Sequence, residues 1–358
     1  MKILYVITGV RKAAGTTTFV ENVMRGLQFA GQEVDIAMST SALKKCDVIH
    51  IHGLWGRLLH NAAKYAKKNG IPIVWSTHGM TAPWAMRHKW WKKLPAWLLY
   101  QKHDLRSAAA IHCTTELEVA WNKALGFKNC FIAPLGTHLP NLGKFNSLTS
   151  GHNSKRTLLF VGRIYPVKGL VNLIKAWNLV QSQGPNSQGL TIPFSNSILK
   201  PQLKSHPSQW KLRIVGPDQA GHQARLESLV REVKLGDSVE FAGPKFGEEL
   251  SAEYANCDCL VLPSFTENFG ATIVDALAHG KPCIASTFTP WRELKDYGCG
   301  WWVSNEPELL GATIQEMILL DDSVRHRMGA RGRMLVEKKY SWDAVVMKLE
   351  DGYKEVLK

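Results

Sequence analysis

The segment "FTENFGATIVDALAHGKP" at residues 265–282 contains two carboxylates, Glu267 and Asp275, eight positions apart. Such a pair can be a catalytic acid and base, a clamp on a polar ligand, or ordinary surface charge on a helix. The apolar pattern predicts a loop at Glu267 and a helix that begins at Phe269 or Gly270. A glycosidase-type pair needs both carboxyls at one bond, so this placement favours contacts with two parts of an elongated ligand.

Two cations follow an earlier predicted strand. Arg163 comes directly after Gly162, and Lys168 precedes Gly169, where the next predicted helix starts. A guanidinium fork, a compact ammonium and the amides of a helix start are the groups that bind phosphate oxygens. The alternative is two solvated cations on an exposed loop.

The first half of the chain has polar residues at equivalent strand ends. His52 and His78 each follow a predicted strand and each precede glycine. Either histidine could merely cap a strand, but two such pairs favour positions at a ligand site. Gly9 and Gly15 flank a basic loop, whose amides either approach a phosphate or form a plain connection.

Short apolar runs alternate with stretches of helical periodicity along the whole chain, which predicts parallel sheets covered by helices on both faces. A Gly-, Ser- and Asn-rich stretch at 141–155 divides the pattern and predicts two doubly wound α/β domains, at 1–150 and 151–339. Ligands of such sheets bind beyond the carboxyl ends of the strands. The predicted strands are 3–7, 34–38, 48–51, 71–75, 109–113, 130–133, 157–161, 212–215, 239–241, 259–262 and 282–285.

Composition narrows the class of protein. The 358 residues are 45% hydrophobic and 21% charged, as in soluble globular proteins, and no apolar run reaches the roughly 20 residues of a spanning helix. Seven cysteines without a CxxC pair predict buried thiols in a cytoplasmic protein. The net charge of +14 favours a negatively charged partner.

A basic, aromatic stretch lies at residues 87–106, with six Lys or Arg residues against one acid. It either docks on an anionic membrane surface, where tryptophan prefers the interface, or forms a helix whose tryptophans pack on the sheet. A nucleic-acid surface lacks any accompanying motif. The residues assigned to the acceptor or membrane are Arg87, Lys89, Trp90, Trp91, Lys92 and Lys93.

Together these motifs resemble a retaining glycosyltransferase of family 4. The resemblance rests on the "GR…KG" and E-x7-E segments, on "VEFAGP" at 239–244 and on the closing "YSWDAVVMKLEDGYKEVL" at 340–357, and it spans essentially the whole chain. It implies the GT-B fold, in which two Rossmann-like domains face each other. It also implies a C-terminal helix, at 340–358, that crosses back to the first domain.

The resemblance further implies the role of each residue. Arg163 and Lys168 hold the diphosphate of a sugar nucleotide, Glu267 binds the donor sugar, Asp275 binds the ribose hydroxyls, and His78 lies near the sugar. The other implied donor-binding positions are Gly15 and Gly162 at the phosphates, the amides of Asn268, Phe269, Gly270 and Ala271, and Phe241 to Gly243 at the base.

Two positions depart from the family pattern. Residue 275 is Asp where the family usually has Glu, and the first loop lacks the adjacent glycines common in relatives. Retention implies a front-side displacement in which the leaving phosphate accepts the acceptor's proton. Since no Asp-x-Asp pair occurs in the sequence, we expect no metal and no cofactor beside the donor.

The stretch "THGMTAPWAMRHKWWKK" resembles part of bacterial transferases that build capsule, exopolysaccharide or O-antigen units. It implies a UDP- or GDP-linked donor, a lipid-linked or oligosaccharide acceptor, and a cytoplasmic location on the inner face of the membrane. A sugar-nucleotide epimerase of the same fold and a non-catalytic lipid- or nucleic-acid-binding protein are the alternatives. Glu267 and Arg163 are expected in a solvent-filled cleft, replaceable by alanine without loss of folding.

Overall fold

The computed structural model describes residues 1–8, 15–143, 156–182 and 207–358, which form two compact units. One comprises Met1–Gly136 with Lys339–Lys358, and the other Thr137–Lys338. The boundary lies earlier than residue 150 because the chain from Thr137 already bonds to the second unit. The Thr137 hydroxyl donates to Asp275, and Pro140 O accepts from Arg333. Most of the Gly-, Ser- and Asn-rich stretch at 141–155 lies outside the described residues, as does most of the polar segment at 181–209, which the sequence predicts to be a surface loop.

The first unit is a six-stranded parallel sheet in the order β2-β1-β3-β4-β5-β6. Its strands are β1 (Lys2–Val6), β2 (Glu33–Ala37), β3 (Val48–His52), β4 (Ile73–Ser76), β5 (Ala110–Cys113) and β6 (Cys130–Ile132). The helices of its segment Met1–Gly136 are α1 (Gly15–Phe29), α2 (Arg57–Lys68), α3 (Pro83–Arg87), α4 (Trp90–Ala96), α5 (Lys102–Ser107) and α6 (Glu116–Ala124).

Side chains alternate across this sheet and build a core on each face. Leu4 and Val6 lie in the core that also contains residues of α2, whereas Ile3 and Tyr5 lie in the core that contains residues of α1. Both faces are therefore covered, as the unbroken apolar strands predict.

The second unit is also a six-stranded parallel sheet, in the order β12-β11-β10-β7-β8-β9. Its strands are β7 (Arg156–Val161), β8 (Trp210–Val215), β9 (Val239–Gly243), β10 (Cys259–Leu262), β11 (Cys283–Ser286) and β12 (Gly300–Val303). Its helices are α7 (Leu170–Ser182), α8 (His222–Glu232), α9 (Gly247–Asn256), α10 (Ala271–Ala278), α11 (Glu293–Asp296), α12 (Pro307–Leu319) and α13 (Asp322–Lys339). Strand β12 is absent from the sequence prediction.

Each sheet has a point where the strand order reverses. In the first unit it lies between β1 and β3, and in the second between β7 and β10. The strand order of the second sheet is that of a dinucleotide-binding fold. Connections leave the sheet on opposite faces at such a point, so a crevice opens at the carboxyl ends of the two strands. The predicted α/β class with two doubly wound sheets is confirmed.

The chain ends in helix α14 (Trp342–Val356), which belongs to the first unit. The Ser341 hydroxyl caps it by accepting from the amide of Ala344, 3.3 Å away. It packs on α1 where Gly26 has no side chain, since a Cβ there would lie 2.5 Å from Val346. The hydroxyl groups of Tyr353 and Tyr5 lie 2.6 Å apart beneath it.

The basic, aromatic stretch forms α4, a π-helical turn at Trp97–Gln101 and then α5. Pro95 lies inside α4 and lacks an amide donor, which accounts for the change of helical pitch just after it. Of the two alternatives for this stretch, packing of the tryptophans on the sheet does not hold for Trp90 and Trp91, which are 55% and 59% exposed. It holds for Trp97, which packs on the first core. Among the described residues, no helix has the length and apolarity needed to cross a membrane.

Candidate functional site

The strongest polar grouping of the second unit lies where its strand order reverses. A tight backbone contact joins the segments after β7 and β10: the amide of Phe265 donates to Val167 O over 2.8 Å. Gly169 has a φ of +72°, and a Cβ there would lie 2.1 Å from Pro263 O. Only glycine fits this close approach, which sets Lys168 beside the loop that follows β10.

Lys168 and Glu267 form an ion pair across this contact, with 2.5 Å between Nζ and Oε1. The hydroxyl of Ser264, itself buried, donates to the same carboxylate oxygen over 2.7 Å. The two charged side chains are only 15% and 13% exposed. Glu267, expected in a solvent-filled cleft, is thus mostly buried by its partners within the second unit.

Arg163 follows β7, as Lys168 does, and its side chain is exposed. Its Nη1 donates to Gln219 Oε1 over 2.8 Å, which orients the guanidinium from the loop after β8. The other guanidinium donors are available to an anion, as the sequence predicts for a phosphate-binding arginine.

The loop at Glu267 leads directly into α10. Gly270, with a φ of +83°, precedes the helix, and the ring of Phe269 packs edge-on against Trp291 with centroids 5.4 Å apart. This apolar contact fixes the direction of the first turn. Ala271 is exposed at that turn, and Thr272 Oγ1 is buried without a hydrogen-bond partner among the described residues. Helix amides and this hydroxyl together can bind an anion.

Asp275 lies in α10, one turn beyond Thr272. Its Oδ1 accepts from the hydroxyl of Thr137 over 2.6 Å, whereas Oδ2 makes no hydrogen bond among the described residues. Each carboxylate oxygen can accept two hydrogen bonds, so the binding of both ribose hydroxyls stays a prediction. Burial raises the pKa of Asp275 to about 6, against a smaller lowering by the Thr137 hydrogen bond.

The remaining predicted positions in the second unit line the neighbouring strand ends. The Gly162 amide donates to Val215 O over 3.0 Å, and Gly243 O accepts from the Gly216 amide over 2.9 Å. Phe241 and Gly243 are partly exposed on the edge strand β9. Their contact with a base stays a prediction, as do the roles of the Asn268 amide and its neighbours. Gly15 is the first residue of α1, and the loop before it lies outside the described residues.

His78 follows β4 in the first unit, with a left-handed φ of +49° that is strained for a residue with a side chain. The buried carboxylate of Glu118 holds this turn. Its Oε1 accepts from the Thr77 hydroxyl and the Gly79 amide, each over 2.7 Å, while Oε2 accepts from the Thr114 amide over 2.8 Å. Because both oxygens are hydrogen-bonded, the carboxylate is satisfied and clamps the residues on either side of His78.

The ring of His78 is electrically neutral. Its pKa is lowered to about 4, chiefly by burial, with Glu118 opposing the shift and His112 adding to it. Its Nε2 lies 2.9 Å from Nδ1 of His52, at the end of β3. Both histidines lie at strand ends, as predicted, whereas Glu118 was not predicted. Its signal in the sequence is an acid in the first turn of the helix α6.

The Lys168–Glu267 ion pair predicts that substitutions at the two positions have non-additive effects on the free energy of unfolding. Replacing either partner leaves a mostly buried charge with fewer hydrogen bonds, so Lys168→Met and Glu267→Gln should each cost about 1–3 kcal/mol. The double variant should lose about 1 kcal/mol less than the sum, as measured by denaturant unfolding. The exposed pair Lys245–Glu249 is the matched control, for which the coupling should stay below about 0.5 kcal/mol. Strictly additive losses at Lys168 and Glu267 would contradict the pairing.

The raised pKa of Asp275 predicts that the free energy of unfolding depends on pH. A carboxyl with a raised pKa destabilises the folded state once it ionises, so the cost appears as pH rises from about 4 to about 6 and persists above. Asp275→Asn should therefore raise the thermal midpoint at pH 7.5 by an amount equivalent to at most about 3 kcal/mol, and much less at pH 4.5. The exposed Asp351→Asn is the control. An equal shift at both pH values would show that ionisation of Asp275 is not the cause.

Comparisons with known proteins agree with this architecture. Residues 149–334 match the family model described as glycosyl transferases group 1, and residues 39–137 match that of glycosyltransferase family 4. No group of three His, Cys, Asp or Glu side chains that could hold a metal ion occurs in the described ranges.

Two curated relatives illustrate the range of similar sequences. The chain is 28% identical over 202 residues to D-inositol 3-phosphate glycosyltransferase of Salinispora tropica, covering 55% of this chain and 38% of that protein. It is 27% identical over 204 residues to lipopolysaccharide 1,2-N-acetylglucosaminetransferase of Salmonella typhimurium, covering 55% and 48%. The chain thus spans less than half the length of these relatives.

A solved structure matches over the whole chain. The HepE protein of Anabaena, solved in complex with UDP-glucose, is similar with a TM-score of 0.73 and 15% identity, covering 99% of this chain and 100% of that one. This likeness shows a shared fold of the GT-B type. Since the first family model covers more than half of the sequence, the chain belongs to the glycosyl transferases group 1, as its motifs predict.

Proposed function

We propose that this protein is a retaining glycosyltransferase that moves a sugar from a nucleoside diphosphate donor to a lipid-linked or oligosaccharide acceptor. The observation that carries the proposal is the ion pair of Lys168 and Glu267 at the point where the second sheet reverses its strand order, with Arg163 following the same strand as Lys168. A crevice of this kind binds nucleotides in doubly wound folds.

The charges of the site fit a diphosphate joined to a sugar. Arg163 supplies an exposed guanidinium, Lys168 an ammonium whose remaining donors can bind phosphate, and α10 the positive end of its dipole with the Thr272 hydroxyl. Glu267 is an acceptor for sugar hydroxyls. Asp275, one turn further along α10, offers Oδ2 to a ribose hydroxyl.

The chemistry needs no base from the protein. An acceptor hydroxyl attacks the anomeric carbon on the face from which the diphosphate leaves, so the configuration is retained. The bond from the anomeric carbon to the phosphate oxygen breaks, the new glycosidic bond forms, and the hydroxyl proton passes to the departing phosphate. Arg163 and Lys168 stabilise the charge that develops on the diphosphate. Because these two cations supply that stabilisation, we propose that transfer is independent of metal ions.

The relatives support a UDP-linked donor and an acceptor in surface glycan assembly. The HepE structure contains UDP-glucose, and the Salmonella relative is named as a lipopolysaccharide transferase. We therefore place this protein in bacterial surface polysaccharide synthesis, with a GDP-linked sugar as the other donor to test. No cofactor beyond the donor is part of the proposal.

Donor turnover tests the proposal. Purified protein with EDTA should bind and slowly hydrolyse one of a panel of UDP-, GDP- and ADP-sugars, and transfer it once an acceptor is supplied. Arg163→Ala should lower kcat/KM by about a hundredfold or more, since one preorganised charge contact to the leaving group is lost. Arg231→Ala removes an exposed arginine from the end of α8 and should leave the rate unchanged.

Three outcomes of this assay would overturn the assignment. Failure to bind any sugar nucleotide would exclude a transferase. Release of an isomeric sugar without an acceptor would instead show an epimerase. Inversion at the anomeric carbon of the product, read by NMR, would contradict the front-side displacement.

We also propose that the first unit docks on an anionic lipid surface through the segment Trp84–Leu99. Its apolar side chains are unusually exposed, with Leu98 and Leu99 at 70% and 81%, beside Trp90 and Trp91. Cations at Arg87, Lys89 and Lys92 intersperse them. Exposed tryptophan and leucine with lysine and arginine is the composition of an interfacial membrane segment, and the net charge of +14 adds long-range attraction.

Vesicle binding tests this docking. The protein should sediment with vesicles containing phosphatidylglycerol, and Trp90→Ser with Leu99→Ser should reduce the bound fraction at least tenfold, because two apolar anchors are lost. Phe29→Ser, at a residue 96% exposed on α1, controls for loss of surface apolarity in general. Equal binding of the double variant and the Phe29 variant would contradict the assignment.

A further inference from the structure

His52 is a buried histidine with an unusual pattern of partners. It is 2% exposed at the last position of β3, and its Nδ1 lies 2.9 Å from Nε2 of His78. Its other nitrogen, Nε2, is buried and has no hydrogen-bond partner among the described residues. The neighbouring His50 and His112 differ, because both nitrogens of each ring are hydrogen-bonded.

Aromatic rings enclose His52. The ring of Tyr5 stacks on it with centroids 5.0 Å apart, and the ring of His50 lies at 4.2 Å. Burial holds the pKa of His52 well below its ordinary value, and neighbouring histidines lower it further. Both His52 and His78 are therefore neutral at physiological pH, so one nitrogen of the contact carries a proton and the other a lone pair.

Only two arrangements of protons are compatible with this contact. If His78 Nε2–H donates, His52 must carry its own proton on Nε2, where a buried N–H has no acceptor at a cost of about 1–3 kcal/mol. If His52 Nδ1–H donates, its Nε2 is a bare lone pair among rings. Buried backbone N–H groups lack a partner more rarely than backbone acceptors do, and by the same reasoning this second arrangement is favoured. The second arrangement leaves the proton of His78 on Nδ1.

We propose that His52 is a positioning residue that fixes His78 as the Nδ1–H tautomer, so that His78 donates a hydrogen bond to a substrate oxygen. Nδ1 of His78 makes no hydrogen bond within the described part of the chain, and the residue is partly exposed. Under the proposed function that oxygen belongs to a substrate of the transfer, and the role of His52 rests on that function. Glu118 fixes the backbone on either side of His78. Residues of α6 and β3 therefore both hold the hydrogen-bond donor of His78 in place.

The tautomer itself can be measured without turnover. Long-range proton–nitrogen NMR of the full-length protein at pH 7.5, with His78 assigned by His78→Gln, should show its proton on Nδ1. Free histidine side chains favour Nε2–H, so His52→Leu should shift His78 toward that form. Finding Nε2–H at His78 in the wild type would overturn the proposal.

Kinetics give an independent readout. His52→Leu should lower kcat for donor hydrolysis or transfer about ten- to a hundredfold, a range typical for loss of a residue that orients a functional histidine. His52→Asn places an amide N–H where Nδ1 was and should recover most of that loss, because the donor to His78 Nε2 is restored. An unchanged kcat in His52→Leu, or equal losses in both variants, would contradict the role of His52.

The two readouts separate this proposal from the proposed function. If the wild type turns over no sugar nucleotide while His78 carries its proton on Nδ1, the assigned reaction fails and the positioning contact stands. If the wild type is active and His78 carries its proton on Nε2, the positioning role fails alone.

Discussion

The second unit depends on one close approach of backbone to backbone. Gly169 packs against the carbonyl of Pro263, and the Phe265 amide bonds to Val167 O across the point where the strand order reverses. This contact brings the ammonium of Lys168 to the carboxylate of Glu267, in surroundings from which most water is excluded. A mostly buried charge pair is stable only if its geometry is fixed. The geometry of the Lys168–Glu267 pair is fixed by Gly169, by the buried Ser264 and by the start of α10.

In the first unit, a chain of hydrogen bonds between neutral side chains holds the buried polar residues in place. The carbonyl of Ala133 can only accept, so His112 Nε2 donates to it over 2.7 Å and His112 Nδ1 accepts from the Ser76 hydroxyl. It follows that His50 Nε2 donates to Ser76 and that the Tyr353 hydroxyl donates to His50 Nδ1. One backbone carbonyl thus sets the direction of every bond in a chain that reaches helix α14. Beside it, Glu118 and His52 hold His78.

Sequence patterns predicted the sheets well because buried parallel strands are short apolar runs with a strong signal. The strand Gly300–Val303 was missed, since its two tryptophans are only partly buried at a sheet edge. The positions of Arg163 and Lys168 after one strand, of Glu267 after another and of Asp275 in the next helix also followed from order along the chain. Their mutual contacts did not, because the Lys168–Glu267 and Thr137–Asp275 pairs join residues about a hundred or more positions apart. Spacing within a motif carries no information about such pairs.

The proposed function requires that the diphosphate of a nucleotide binds at Arg163, Lys168 and the first turn of α10. A crystal structure of the protein saturated with UDP tests it most directly. We expect phosphate oxygens within hydrogen-bonding distance of both side chains and of the Thr272 hydroxyl, with a ribose hydroxyl on Asp275. Phosphates bound elsewhere on the second sheet, or on the first unit, would contradict the account.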